Sequence, residues 1–86
     1  MSRPVVGSFV QVRGLLGVHN GAETVSAVVT RVWSSMQLGA HLVWLVNLHV
    51  FHDGPETVWR PHVYLFPDEQ AARAVPGFNA WWPPSG

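Results

Sequence analysis

The chain has no cysteine and no lysine, and it carries only five basic and five acidic residues in 86. Without cysteine there is no disulfide staple and no thiolate zinc knuckle. The charges cancel, with a pI near 7.0, so the sequence offers no electrostatic footprint for a phosphate backbone, and nucleic acid is not expected as a partner. Long apolar runs are also missing. The longest, Leu42 to Val46, is far short of a bilayer span, which predicts no membrane contact. No apolar segment of signal-peptide length follows Met1-Ser2-Arg3-Pro4, so the expectation is a soluble protein made in the cytoplasm.

Motifs of catalysis are absent as well. Gly14-Leu15-Leu16-Gly17 is apolar and lacks the lysine of a phosphate-cradling loop. Ser2, Ser8, Ser26, Ser34, Ser35 and Ser85 sit in no nucleophile elbow. Glu23, Asp53, Glu56, Asp68 and Glu69 all fall in predicted turns or at a helix start, where capping and solvation account for them. No enzyme and no cofactor is expected. Five histidines raise the question of a metal, and His49 with His62 across a hairpin, joined by Asp53 or Glu56, is the one arrangement to check. No ligand motif supports it, and the expectation is no metal.

What is present is apolar: 48% of the residues are hydrophobic and 12% charged, the opposite of a disordered composition. A chain this short buries only roughly 60% of the surface it exposes when unfolded, so outside support is expected, through self-association or docking on a larger partner.

Hydrophobic alternation places strands over 5–13, 25–33, 42–51 and 57–66. The pair Asn20-Gly21 marks a loop between 14 and 24, a polar flexible piece is expected over 34–39, and His52-Asp53-Gly54-Pro55-Glu56 reads as a turn. In the longest strand, Leu42, Trp44, Val46, Leu48 and Val50 share the face assigned to the core, while Val43, Leu45, Asn47, His49 and Phe51 share the other. Pro61 cannot donate to a ladder, which predicts an edge or a bulge there. Asp68 caps a short helix that Pro76-Gly77 ends. The resulting class is all-β: a small SH3-like or related five-strand barrel with one short helix near the C-terminus, drawn as a barrel domain over 1–77 and an aromatic, proline-rich arm over 78–86.

Five tryptophans are too many to bury together in so small a core. Trp33, Trp44 and Trp59 are assigned to the core or its edge. Phe78, Trp81, Trp82 and Pro83 are the candidate partner-binding residues, because a proline-stiffened aromatic arm loses little entropy on docking. The arm could instead fold back on its own barrel.

Three blocks resemble a known group: Ala27-Val28-Val29-Thr30-Arg31-Val32-Trp33, then Val46-Asn47-Leu48-His49-Val50-Phe51-His52-Asp53-Gly54, then the tryptophan-proline ending. Small phage and prophage proteins of GC-rich hosts carry similar AIVxxVW, VNLxVFxDG and TWHWP blocks, and arginine to the exclusion of lysine agrees with such a genome. The likeness spans roughly the last two thirds of the chain and is interrupted by the insertion from Ser34 to Trp44 and by an altered ending. The resemblance implies a phage-encoded, non-enzymatic virion accessory protein. Its expected partner is the major capsid protein or another virion protein, bound through apolar and aromatic surface as a homo-oligomer or in a lattice. The alternative is an intracellular module that sequesters a small ligand or a host defence factor, using the barrel mouth with His49, His62 and Trp59.

Overall fold

The computed structural model describes residues 3–13, 24–51 and 57–83. Its elements in chain order are β1 (Phe9–Arg13), β2 (Thr24–Leu38), β3 (His41–Phe51), β4 (Thr57–Phe66), α1 (Glu69–Ala74) and β5 (Ala80–Trp81). The strands close into a barrel in the order β1-β2-β3-β4-β5. Neighbours are antiparallel except β4 and β5, and β5 completes the ring by pairing with β1. This is the expected five-strand barrel with its one short helix.

The two-residue period builds the interior. Val10 and Val12 of β1, Val25, Ala27 and Val29 of β2, Val46, Leu48 and Val50 of β3, and Val63 and Leu65 of β4 all point inward, joined by Ala80. Each valine or leucine removed from water contributes about 1.5–3 kcal/mol, and β-branched residues suit the pleated wall. A second cluster lies on the opposite face of the same wall. Val43, Phe66 and Trp81, each one residue out of phase with the inward set, pack under Ala71 and Ala72 of α1. Six residues are too few for a helix to persist alone. Packing holds it, with Asp68 accepting from the Ala71 amide at 2.8 Å, and with buried Asn79 donating to the carbonyls of Ala72 and Val75 at 3.2 and 2.9 Å.

That second layer corrects the core assignment at one end of β3. Trp44, Val46, Leu48 and Val50 face the interior as expected, but Leu42 is exposed while Val43 is fully buried. Alternation holds; a helix buries the face that alternation assigns to solvent. The first strand is also shorter than predicted. Ser8 turns the chain, its amide donating to the Val5 carbonyl at 3.0 Å and its hydroxyl accepting from the Val5 amide at 3.1 Å, so Val5 and Val6 are exposed and pairing starts at Phe9. Conversely, β2 runs on through the polar stretch Ser34 to Gln37, because β3 pairs with it as far as Leu38 and His41. Loop 14–23 and turn 52–56 lie outside the described residues.

Candidate functional site

Bulges in both strands flanking β3 converge on one residue. In β2 the register against β3 slips at Thr30 and again at Trp33. In β4 it slips between Arg60 and Val63, where Pro61 and His62 both stand opposite Asn47. Proline's missing N–H and fixed φ make this a natural place for an extra residue. His62 takes a left-handed conformation, φ 55°, which costs a non-glycine residue of order 1–2 kcal/mol.

Asn47 holds the arrangement together. It is 7% exposed, and its side-chain oxygen accepts both the Trp33 indole N–H at 2.8 Å and the His62 backbone N–H at 3.0 Å. The Trp33 and His62 rings then stack, centroids 5.4 Å apart and planes 28° from parallel, and the Arg31 guanidinium lies 3.7 Å from the Trp33 ring centroid. Trp33 and Asn47, fourteen residues apart in the sequence, are thus brought together. A comparison with family models, curated proteins and solved structures finds no match.

Below the Asn47 latch no described element covers the outer face of β2, β3 and β4. His49 pairs with Val28 on one side and Trp59 on the other; Trp59 is 57% exposed, and Phe51, two residues on, is 40% exposed. The outer face of β3 and β4 is therefore divided, one half roofed by α1 and the other presenting aromatic rings to solvent. Phe9, paired with Val28, continues the row onto β1 around the barrel's curve. Trp33, 42% exposed, and Trp59 are thus surface residues, where the sequence placed them in the core or at its edge.

Of the residues expected to bind a partner, Trp81 is 1% exposed and lies under the helix, its indole N–H donating to Gln11 at 3.1 Å. Phe78 and Trp82 are half-buried against the barrel interior, and Pro83 is exposed. The tail folds back and supplies the fifth strand, so over the described residues it is part of the barrel. A partner contact through Trp81 would require β5 to leave the wall.

His49 and His62 do not face each other, since His49 pairs with Trp59 and His62 stands opposite Asn47; Asp53 and Glu56 lie outside the described residues. Among the described residues no three His, Asp or Glu side chains gather as a metal would need. A cleft between Arg13, Arg73, Asn79 and Trp81 has a volume of about 10 Å³, room for one water. The organising role of Asn47 was not among the sequence expectations. Its signal was a lone amide inside an apolar strand, with Pro61 marking the bulge opposite.

Proposed function

We propose that the protein is a non-enzymatic accessory subunit of a phage virion that docks on the capsid shell through apolar surface. The observation that carries the reading is the distribution of apolar side chains. The barrel is filled with valine and leucine, while large apolar residues remain outside. Monomers rarely leave such patches uncovered. At the β2–β3 hairpin Met36 and Leu42 are both exposed, one on each face of the ribbon, since Met36 pairs with Val43 and Leu42 with Gln37. The segment before β1 contacts both strands, Arg3 over the Trp44 ring of β3 and the Gly7 amide on the Val29 carbonyl of β2, and brings exposed Val5 and Val6 with it.

The test is sedimentation of the purified protein with capsid shells produced from the same genome. Saturable co-sedimentation is expected, reduced at least tenfold in affinity for the double variant Met36→Glu, Leu42→Glu, whose fold circular dichroism would verify; two hydrophobic anchors supply roughly that much. Absence of the wild-type protein from the shell pellet at saturating concentration overturns the reading.

A further inference from the structure

We propose that the outer face of β2, β3 and β4 left unroofed by α1 is a stacking platform for single-stranded nucleic acid, a binding activity separate from the shell contact. Aromatic side chains occur at three successive steps along the outer side of β3. The Trp33–His62 stack lies over Asn47, His49 beside Trp59 comes next, and Phe51 follows. Residues two apart on a strand are separated by about 7 Å, a distance one extended sugar-phosphate unit reaches, so each step can receive one base.

The chemistry of this face differs from that of the apolar patch used for the shell. The exposed aliphatic residues lie at the hairpin and before β1, whereas this face carries rings and imidazoles, with half-buried Val28 as the aliphatic exception among the positions described. Every base has a π-face, and stacking on aromatic side chains is tolerant of sequence. The rings are also fixed in advance. Asn47 ties the Trp33 indole and the His62 backbone to one acceptor, so less ordering entropy is lost on binding.

Among the described residues, the charged side chain on this face is an arginine. Arg31 pairs with Asn47 and therefore stands on the same outer face, its guanidinium carbon 3.7 Å from the Trp33 ring centroid, where it can meet a phosphate. The carboxylates among the described residues, Asp68 and Glu69, belong to the start of α1 at the other half of the wall, one capping the helix and the other paired with Arg73. Zero net charge argues against a basic groove that tracks many phosphates. It leaves room for binding in which the bases carry the affinity and a single arginine meets the backbone.

Fluorescence anisotropy of a labelled ten-nucleotide oligothymidine, titrated with the full chain, tests this. Saturable binding is expected, with a duplex of equal length bound at least about tenfold more weakly, because its bases are already stacked. Trp59→Ala and Phe51→Ala, both exposed and each verified as folded, should each weaken binding about tenfold, the usual effect of losing one stacked base. The affinity should fall with salt with a slope near −0.7, the value for one phosphate contact on a single strand, and Arg31→Gln should flatten it. No binding at millimolar protein, binding unchanged in both alanine variants, or a slope several times steeper overturns the proposal. So does capture of a proline-rich peptide by these rings without any oligonucleotide binding. Shell binding is probed through Met36 and Leu42, so failure of either reading leaves the other measurable.

Discussion

Asn47 shows how much one side chain can hold in place. With a single oxygen it satisfies two part-buried donors, an indole N–H from β2 and a backbone N–H from the β4 bulge. Each such bond contributes about 0.5–1.5 kcal/mol net, and His62 already carries the cost of its left-handed backbone. Asn47→Ala should therefore lower the unfolding free energy by about 2–4 kcal/mol, from the lost bonds and the vacated volume. Trp33→Phe, which keeps a ring and removes only the N–H, should cost about 1 kcal/mol. Urea denaturation of the two variants checks the order. Equal losses would mean that the bond to Trp33 contributes most of the effect and the His62 amide little.

At the scale of elements, β5 and α1 depend on each other. β5 is two residues long and α1 six, and neither has enough hydrogen bonds to stand by itself. Trp81 joins them, packed with Ala71 and Ala72 on the outer face while Ala80 faces the interior. Replacing Trp81 by alanine should cost about 3–5 kcal/mol. A domain of this length has about 4–13 kcal/mol in total, so the variant should lose most of its cooperative urea transition near 37 °C.

Legibility in the sequence follows the same divide between local and tertiary causes. The inward residues of β3, the cap at Asp68 and the bulge at Pro61 were legible because period and backbone chemistry act locally there. The exposure of Trp33 was not, because two bulges in β2 shift its phase against β3. The burial of Val43 and Trp81 depends on a helix packing from outside, which no alternation pattern records. The run of β2 through Ser34 to Gln37 depends on its partner strand, which overrides weak propensity.

For the whole molecule, closure of the ring is the governing property. A closed barrel has no free edge to template further pairing, and here the seam is two residue pairs between β1 and β5, Gln11 with Trp81 and Val12 with Ala80. Removing residues 78–86 should open that seam and expose the free edges of β1 and β4. Size-exclusion chromatography with light scattering should then show concentration-dependent higher species in place of the form the intact chain adopts. A truncated chain that elutes as the intact chain does, with unchanged circular dichroism, would show that four strands suffice.

To an optical experiment the five indoles are not equivalent. Trp33 and Trp59 stand in water at the surface, Trp44 and Trp82 sit half-covered, and Trp81 is enclosed beneath the helix. Emission from the folded chain is accordingly a sum of red and blue components. A dissolved quencher reaches the first pair well before it reaches Trp81, and departure of the fifth strand exposes Trp81 together with its neighbour Trp82. The state of the seam can thus be followed by intrinsic emission, without attaching a dye.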